Sequence, residues 1–494
     1  MTDAQADRQL LIASNRGPLS FARSNGTLTA RRGGGGMVSG LSAAAEETPM
    51  VWVCAALSEA DREAAGRSPG GLLDPGDTGG GAAVRMLNIP PEVFDSAYNR
   101  VANSTLWFVH HMLYDTPNQP SFGPAFSRDW DAFREYNARF ADALAQAAGQ
   151  SDGAAGRASA RAVIQDYHLC LAPRMLAERA PGVPIAHFSH TPWAPPEYYR
   201  LLPRDVGHEV LTGILGADHA GFLSERWANA FMDCCEALLG AKVDRDRKQI
   251  SYAGHVTTIG VHPLGVDAAQ LRARAAESDV VDKMTALADA SDGRKLIVRV
   301  DRTELSKNIV RGLEAYRDLL RAHPEWHGKV VHLAFAYPSR GDLPEYRDYT
   351  ASVQRLAAEI AAEFATPGWD PVVLEVNDDY PRSLAACRLA DVLLVNPIRD
   401  GMNLVAKEGP ILSDRGCALV LSTEAGAAAE LGRHALLVNP FDVTQTMQAL
   451  HDALTMTGEE RASRCSALAA AASATPPARW LADQLDALER PQTG

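Results

Sequence analysis

The sequence feature that most constrains the fold is an alternation of short apolar runs with polar or glycine-containing turns and helix-forming segments. The apolar runs lie at residues 10–13, 162–165, 184–189, 218–223, 256–259, 295–300, 330–336, 372–376, 391–395 and 418–422. Such continuous runs are typical of strands buried on both faces of a parallel sheet. The alternation stops after residue 259 and restarts at residue 295. The sequence therefore predicts an α/β protein with two doubly wound, Rossmann-like domains that face each other across a cleft.

The length of the chain agrees with this organisation, because 494 residues are too many for one hydrophobic core. We place an N-terminal domain at residues 1–262 and a C-terminal domain at residues 263–470. In the remaining segment, residues 471–494, Leu481 and Leu485 have helical spacing. We expect this segment to form a helix that crosses back to the first domain.

Composition and charge argue against several classes of function. The seven cysteines are scattered and form no CxxC pair, which argues against a disulfide framework or a zinc site and favours a reducing cytoplasm. A net charge of −13 argues against nucleic acid as a partner. Residues 1–8 lack the apolar core of a signal peptide, and no apolar run reaches the roughly 18 residues of a membrane span. We expect a cytoplasmic protein without nucleic-acid or membrane partners, and the sequence leaves a homo-oligomer open.

The most informative stretch is residues 396–408, which follows an apolar run. It places Asp400 at a predicted turn and Glu408 in a helix predicted over residues 402–412. Counted at 1.5 Å per residue, the two carboxylates would lie roughly 12 Å apart, about the span of a diphosphate with a sugar at each end. The first N–H groups of a helix bind phosphate, and carboxylates accept paired hydrogen bonds from vicinal hydroxyls. On this stretch alone, a plain turn followed by a solvated helix residue is an equally good interpretation.

Charged side chains also follow other predicted strands. In the first half, Arg16, Asp166 and His190 each come just after the C-terminal end of a strand. Ligands of open α/β sheets bind outside these ends, so three such positions indicate a binding site, although Arg16 alone could form a surface ion pair. In the second half, Arg302 and Lys307 flank a strand-to-helix connection, where two cations can neutralise a diphosphate.

Two further features each have a binding and a structural interpretation. Residues 33–36 are four glycines, which let the backbone approach a ligand closely. We favour a phosphate-binding or lid segment that includes Gly36 over a slack hairpin tip. Tyr98 and Trp107 stand in an aromatic and histidine-rich region that is more typical of a core edge, but their rings could also form a platform for a sugar.

Taken in order, these motifs resemble those of the trehalose-6-phosphate synthase family, retaining nucleotide-sugar glycosyltransferases with the two-domain GT-B architecture. The resemblance covers nearly the whole chain and rests on Ser14-Asn15-Arg16, the glycine run, Tyr98 with Trp107, Asp166-Tyr167-His168, His190 with Pro192, Arg302 with Lys307, Ser339-Arg340-Gly341-Asp342 and the run from Arg399 to Glu408. It implies an acceptor-binding first domain and a donor-binding second domain. The implied reaction is glucosyl transfer from a nucleoside-diphosphate glucose to glucose 6-phosphate, which gives α,α-trehalose 6-phosphate.

The same resemblance implies roles for individual residues. The implied catalytic residues are His190, Arg302, Lys307 and Asp400. The implied donor-binding residues are Gly36, Arg302, Lys307, Asp378, Asp400, Met402, Asn403, Leu404, Val405 and Glu408. The implied acceptor-binding residues are Arg16, Tyr98, Trp107, Asp166 and Arg340. We predict no metal and no other cofactor, because two cations beside the leaving diphosphate can replace a divalent ion.

Two departures from the family pattern bear on the substrates. Residues 51–54 offer one tryptophan, Trp52, where the family usually carries two, which leaves the acceptor open. Asp378 and Asp379 stand where the family borders the base, and a carboxylate accepts the two neighbouring donors of guanine. We therefore slightly favour GDP-glucose over UDP-glucose, although both aspartates could face water or cap the helix that begins near Pro381. The alternative functions are a pseudo-glycosyltransferase, which couples a nucleotide-activated cyclitol to an aminocyclitol phosphate, and a non-catalytic sensor.

Overall fold

The computed structural model describes residues 8–24, 27–32, 41, 50–73, 82–150, 160–341 and 343–489. The chain divides into two compact units, one of Met1–Pro263 with Pro477–Gly494 and the other of Leu264–Pro476. The predicted domain boundary lies one residue before this division, and the predicted C-terminal segment starts six residues before Pro477. Residues 33–36, and with them Gly36, lie outside the described part of the chain.

The first unit is built on a nine-stranded sheet and a separate hairpin. The strands are β1 (Gln9–Ala13), β2 (Leu19–Ser24), β3 (Thr27–Arg32), β4 (Met50–Ala55), β5 (Ala83–Leu87), β6 (Ala160–Gln165), β7 (Ile185–Ser189), β8 (His219–Phe222), β9 (Lys242–Asp244), β10 (Gln249–Tyr252) and β11 (His255–Val261). The order in the sheet is β5-β4-β1-β6-β7-β8-β11-β10-β9. Within this sheet, β10 pairs antiparallel with both of its neighbours, β9 and β11, and the other pairs are parallel, while β2 and β3 form the antiparallel hairpin. The six strands from β5 to β8 therefore have the doubly wound order 3-2-1-4-5-6.

Helices connect these strands. They are α1 (Glu59–Arg67), α2 (Pro91–Phe94), α3 (Trp107–His111), α4 (Pro124–Gln150), α5 (Ala172–Arg179), α6 (Pro196–Tyr199), α7 (Arg204–Ile214) and α8 (Glu225–Leu239). A π-helix, Asp95–Leu106, joins α2 to α3, and short 3-10 helices lie at Pro69–Gly71 and Tyr167–Leu169. The π-helix matters for the site because it carries Tyr98, and such segments are frequent at functional sites.

The second unit is a six-stranded, fully parallel sheet. Its strands are β12 (Lys295–Arg302), β13 (Val330–Tyr337), β14 (Val372–Glu375), β15 (Val392–Val395), β16 (Ala418–Ser422) and β17 (Leu436–Val438). Their order, β14-β13-β12-β15-β16-β17, is again 3-2-1-4-5-6. The helices are α9 (Ala268–Ala275), α10 (Ser278–Ser291), α11 (Ile309–Ala322), α12 (Pro344–Phe364), α13 (Tyr380–Leu389), α14 (Val405–Leu412), α15 (Ala428–Leu431), α16 (Val443–Thr455) and α17 (Gly458–Ser473), with 3-10 helices at Leu305–Lys307 and Pro324–Trp326.

The last helix, α18 (Pro477–Glu489), belongs to the first unit. Its Trp480 is fully buried, with its ring 4.9 Å from that of Phe188 and 5.6 Å from that of His190. Burial of so large an apolar side chain stabilises the packing of this helix against the first unit.

The predicted fold class is confirmed, because each unit contains a doubly wound sheet and every predicted apolar run coincides with a strand. The strands β4, β5 and β17, which complete the two doubly wound orders, do not coincide with any predicted run. In such sheets the ligand crevice lies where the strand order reverses. This switch point falls between β1 and β6 in the first unit and between β12 and β15 in the second. Among the described helices, none is both long and apolar enough to cross a bilayer.

Candidate functional site

The switch point of the second unit brings together the charged residues that follow β12 and β15. Lys307 closes the 3-10 helix after β12, and Asp400 lies in the turn after β15. Their side chains form an ion pair with an Nζ–Oδ2 distance of 2.6 Å, and both are largely buried. A contact between residues 93 positions apart follows directly from the sheet order, which places β12 beside β15.

The electrostatics of this pair favour a protonated lysine. Burial alone would lower the pKa of Lys307, but the carboxylates of Asp400 and Asp301 outweigh burial and raise it above its ordinary value. Burial raises the pKa of Asp301 in spite of the neighbouring cations. Arg299 donates to Asp301 Oδ2 from Nη2 at 2.8 Å, so this second carboxylate is already paired. Lys307 is therefore a fixed positive charge at the switch point.

The turn between Asp400 and α14 is tied together by side chains. Asp400 accepts hydrogen bonds from the Met402 N–H at 3.3 Å and from Asn403 Nδ2 at 3.2 Å. Asn403 has a φ of 75°, in the left-handed region, and its Oδ1 accepts from the Ala406 N–H at 3.2 Å. The helix predicted over residues 402–412 therefore begins only at Val405, because the left-handed residue cannot be part of it. The rise of 1.5 Å per residue therefore does not apply between Asp400 and Leu404, and the separation of Asp400 and Glu408 stays a prediction.

A cavity of about 240 Å³ opens beside this turn. The lining residues are Val300, Asp301, Arg302, Lys307, Tyr337, Tyr380, Ser383, Leu384, Cys387, Asn403, Leu404, Val405, Glu408 and Leu412. Six predicted donor-binding residues are thus gathered around one space: Arg302, Lys307, Asn403, Leu404, Val405 and Glu408. Burial raises the pKa of Glu408 to about 7, so its carboxyl is partly protonated at neutral pH.

Arg302 and Arg340 share a carboxylate that the sequence analysis did not identify. Glu304 is fully buried, its Oε1 lies 3.0 Å from Arg302 Nη1, and Ser339 Oγ donates to the same oxygen at 2.9 Å. Burial alone would raise the pKa of Glu304, but Arg302, Arg340 and Lys307 lower it to about 2. Nothing in the sequence distinguishes Glu304 from an exposed turn residue, so its burial could not be anticipated.

The aspartates predicted to meet the base have other environments. Asp379 caps α13, because its Oδ1 accepts from the Arg382 N–H at 3.0 Å, and its Oδ2 is 2.6 Å from Lys283 Nζ. Asp378 is exposed and is absent from the lining of the cavity. The helix-cap alternative for Asp379 is therefore the one that the structure supports.

In the first unit, Asp166 is the centre of the switch-point cluster. It follows β6, and its φ of 74° turns the chain sharply at the strand end. Its Oδ1 accepts from the His190 N–H at 3.1 Å, and its Oδ2 is 3.5 Å from His168 Nδ1. Burial would raise the pKa of Asp166, but His168 and His190 lower it well below the ordinary range. Burial lowers the pKa of His190, whose Nε2 is 2.7 Å from Gln165 Oε1, so we expect a neutral imidazole at pH 7.

Aromatic rings extend this cluster. The ring of Tyr98 stacks on that of His168 with a centroid distance of 5.4 Å, which links the π-helix to the strand end. Trp107 stacks on His111 at 3.8 Å and contacts Tyr167 at 5.9 Å. Tyr98, Asp166 and His190 are thus connected through direct contacts, and His168 is the connecting residue that the sequence analysis did not assign.

Arg16 is exposed in the loop that follows β1, on the other side of the same switch point. The backbone before it is fixed, since the Ser14 hydroxyl donates to the Arg16 carbonyl at 2.6 Å and accepts from Trp52 Nε1 at 2.7 Å. The single tryptophan of residues 51–54 is therefore a core residue that holds this loop.

One group of three metal-ligating side chains occurs within the described ranges: His323, Glu325 and His451, on the second unit. His323 Nδ1 is 3.1 Å from Glu325 Oε1, and Trp326 Nε1 donates to His451 Nδ1 at 3.3 Å. None of the three lines the cavity beside α14. The absence of a metal from the reaction stays a prediction.

Comparisons with known proteins agree with this architecture. The family model described as glycosyltransferase family 20 matches residues 8–490. A validamine 7-phosphate valienyltransferase of Streptomyces hygroscopicus subsp. jinggangensis is 31% identical over 438 residues, which are 88% of this chain and 85% of that protein. A UDP-forming alpha,alpha-trehalose-phosphate synthase of Schizosaccharomyces pombe is 32% identical over 467 residues, which are 93% of this chain and 86% of that protein.

A solved E. coli structure, described as trehalose-6-phosphate bound with UDP-2-fluoro glucose, is also similar. It has a TM-score of 0.83 at 27% identity and covers 98% of this chain and 99% of that chain. Since the family model spans nearly the whole sequence and relatives above 30% identity extend over most of it, the chain belongs to glycosyltransferase family 20.

Proposed function

We propose that the protein transfers glucose from UDP-glucose to glucose 6-phosphate, with retention at the anomeric carbon, and releases α,α-trehalose 6-phosphate and UDP. The observation that carries the proposal is the pair of cations, Arg302 and Lys307, beside the cavity at the second switch point. The names of the S. pombe and E. coli relatives supply the nucleotide, UDP, and the product, a trehalose phosphate.

The donor would bind in the second unit. Lys307 and Arg302 would hold the diphosphate, together with the N–H groups at the start of α14, which have no intrahelical partner. Glu408, which lines the same cavity, would accept from the ribose hydroxyls. Asp400, which already orients Lys307, would accept from hydroxyls of the donor glucose.

UDP replaces GDP as the proposed leaving group for two reasons. Asp379 is one of the two aspartates that favoured guanine. Its carboxylate already accepts from an N–H at the start of α13 and pairs with Lys283. The S. pombe relative is UDP-forming, and the E. coli structure contains a UDP-sugar. A preference for GDP-glucose is therefore not part of the proposal.

The proposed chemistry rests on positioning and on charge. The acceptor hydroxyl would attack on the face from which the diphosphate leaves, and the leaving oxygen would take the hydroxyl proton. Fixed cations aimed at this developing charge lower the barrier without a metal. His190, kept neutral by burial, would accept or donate a hydrogen bond at a sugar hydroxyl rather than supply charge. Arg16, Tyr98 and Arg340 would bind the acceptor's phosphate, with Trp107 and Asp166 beside its sugar.

A second candidate is the pseudo-glycosyltransferase reaction, in which an amine of a cyclitol phosphate attacks an activated unsaturated cyclitol. The valienyltransferase relative, at 31% identity, favours it. We rank it second because the sugar-binding residues Arg16, Tyr98 and Arg340 and the run from Asp400 to Glu408 match the synthase pattern.

One incubation series tests both. The protein is supplied with UDP-glucose, GDP-glucose or a nucleotide-activated unsaturated cyclitol as donor, and with glucose 6-phosphate or an aminocyclitol phosphate as acceptor. Products are identified by mass spectrometry and by anomeric NMR couplings. We expect trehalose 6-phosphate from UDP-glucose. Turnover only with the aminocyclitol, or a product with one inverted anomeric centre, would contradict the proposal.

A further inference from the structure

Glu304 has an environment that fold stability does not explain. The carboxylate is fully buried in the turn after β12, where it precedes the 3-10 helix Leu305–Lys307. The carboxylate contacts Arg302 and Ser339, and both contacts are made by one oxygen, Oε1. The other, Oε2, is buried with no hydrogen-bond partner among the described residues. A buried carboxylate with an unpaired oxygen costs more than a well-packed apolar residue would, so a function beyond folding is indicated.

The cations around Glu304 are the ones that the proposed function assigns to phosphates. Arg302, Arg340 and Lys307 all lower its pKa, so all three lie close enough to act on one carboxylate. Lys307 is already paired with Asp400, but Arg302 and Arg340 would repel one another in the free protein if no further negative charge lay near them. Glu304 offsets this repulsion and allows a dense positive site to exist in the free protein.

Glu304 also fixes geometry. The Arg302 side chain is 54% exposed, and a guanidinium in that position has many rotamers unless a partner selects one. Arg340 has a φ of 47°, in the left-handed region that a residue with a side chain rarely adopts. Ser339, the residue just before Arg340, donates a hydrogen bond to Glu304, and this contact holds the turn.

We infer that Glu304 is a positioning residue that serves two phosphate sites at once. It orients Arg302 toward the nucleoside diphosphate, and through Ser339 it holds the turn that presents Arg340 to the phosphate of the acceptor. The Arg340 guanidinium itself donates to the Tyr346 hydroxyl at 2.8 Å. The inference rests on the proposed function for the identity of the two ligands. It assigns a role to the one buried carboxylate in the turn between these cations.

The test is a pair of double-mutant cycles built on Glu304→Gln, which preserves the side-chain volume and removes the charge. The readouts are the Kd of UDP, by calorimetry, and the KM of glucose 6-phosphate. We expect Glu304→Gln to raise each constant about tenfold, as is usual when a residue that orients a ligand group is lost. When Arg302 is already replaced by Ala, adding Glu304→Gln should change the Kd of UDP less than about twofold. When Arg340 is already replaced by Ala, adding Glu304→Gln should change the KM of glucose 6-phosphate less than about twofold. A full tenfold effect in both backgrounds would overturn the inference.

Two further variants separate positioning from folding. Asp391→Asn is the matched control, because Asp391 is a buried carboxylate of the same unit, contacted by Lys295 at 2.8 Å and Arg461 at 3.2 Å. The fold-change that Asp391→Asn causes in the Kd of UDP should be the same with and without Arg302→Ala, as expected of a purely structural effect. Ser339→Ala should raise the KM of glucose 6-phosphate and leave the Kd of UDP unchanged; equal changes in both would contradict the assigned route through Ser339.

The outcome for Glu304 is distinguishable from the outcome for the proposed reaction. A wild-type protein that binds UDP but does not form trehalose 6-phosphate contradicts the reaction. The cycle between Glu304 and Arg302 then still decides the inference, because its readout is UDP binding and not turnover.

Discussion

The two switch points differ in the kinds of side chain that they bring together. In the first unit, Asp166 accepts from the His190 N–H, and the ring of His168 stacks on Tyr98. In the second unit, Lys307 pairs with Asp400. The strand order around the two is the same, so the topology supplies the location but not the chemistry.

This difference predicts two kinds of sensitivity. A cluster of aromatic and imidazole rings around one carboxylate recognises shape and hydroxyl positions, and its loss weakens binding of one substrate. A cluster of paired charges stabilises charge that develops in the transition state, and its loss reduces turnover. Variants of Arg302 and Lys307 in the second unit should therefore lower kcat, and variants of the cluster in the first unit should raise a Michaelis constant.

The largest expected effect concerns the two cations of the second unit. Arg302→Ala and Lys307→Ala should each lower kcat roughly 10²- to 10³-fold, because each removes about 2–4 kcal/mol of transition-state stabilisation. Their effects on stability should differ. Arg302 is 54% exposed, and its loss leaves the buried Glu304 with the Ser339 hydroxyl, so Arg302→Ala should cost less stability than Lys307→Ala. Lys307→Ala leaves the largely buried Asp400 without its cation and should cost about 3 kcal/mol.

The measurements are kcat with UDP-glucose and glucose 6-phosphate, and urea unfolding. The combination of Lys307→Met with Asp400→Asn should regain most of the stability and none of the turnover. Near-normal turnover in Arg302→Ala would contradict the claim that the cations of the second unit stabilise charge in the transition state.

The next effect sharpens the account of the first unit. Arg16→Ala should raise the KM of glucose 6-phosphate about 10- to 100-fold, because it removes a hydrogen bond between two charged groups. The KM of UDP-glucose and the melting temperature should not change, since the side chain is exposed. Arg23→Ala is the control, an exposed arginine of the same unit that pairs with Glu63. If both Michaelis constants rose together in Arg16→Ala, Arg16 would be a structural residue.

A smaller effect, of about tenfold, follows from Glu408. Burial raises its pKa to about 7, and only the ionised carboxylate accepts two hydrogen bonds from a ribose. The Kd of UDP should therefore fall about tenfold between pH 6 and pH 8, as the ionised fraction rises. Glu408→Gln should remove this dependence, whereas Glu363→Gln, on an exposed glutamate paired with Arg321, should keep it. A pH-independent wild type would contradict the ribose assignment.

The same shift has a consequence for stability. A carboxyl whose pKa is higher in the folded state favours folding while it is protonated, so this contribution is complete below its ordinary pKa of 4.5 and is lost as the pH rises through 7. Unfolding free energies of wild type and Glu408→Gln should therefore diverge between pH 5 and pH 8, by about 2–3 kcal/mol at most. Parallel profiles would show that the carboxyl is solvated.

The sequence predicted the fold well, because the central strands of both sheets are buried on both faces. Residues 392–395 and 418–421 are all apolar, and they lie in β15 and β16. Strand ends could be placed for the same reason, which is why Arg16, Asp166, Lys307 and Asp400 were identified as candidates.

What the sequence could not predict depends on contacts between distant residues. The left-handed Asn403 delays the start of α14, yet asparagine is compatible with a helix as well as with a turn. Burial of Glu304 depends on Arg302 and on Ser339, which lies 35 residues away. Asp379 was assigned to a base because its ion-pair partner, Lys283, is 96 residues distant in the chain.

The smallest expected effect tests that last reassignment. If Asp379 is a helix cap, Asp379→Ala should lower the unfolding free energy by about 1 kcal/mol, because it leaves the Arg382 N–H without its acceptor. Asp379→Asn should cost less, since asparagine caps equally well and only the half-exposed ion pair with Lys283 is lost. Lys283→Met removes that ion pair alone and should match Asp379→Asn. The ratio of initial rates with UDP-glucose and GDP-glucose should stay within about twofold of wild type in all three variants, because a cap that faces its own helix does not select a base. A shift of that ratio in both Asp379 variants but not in Lys283→Met would show that the carboxylate meets the base after all.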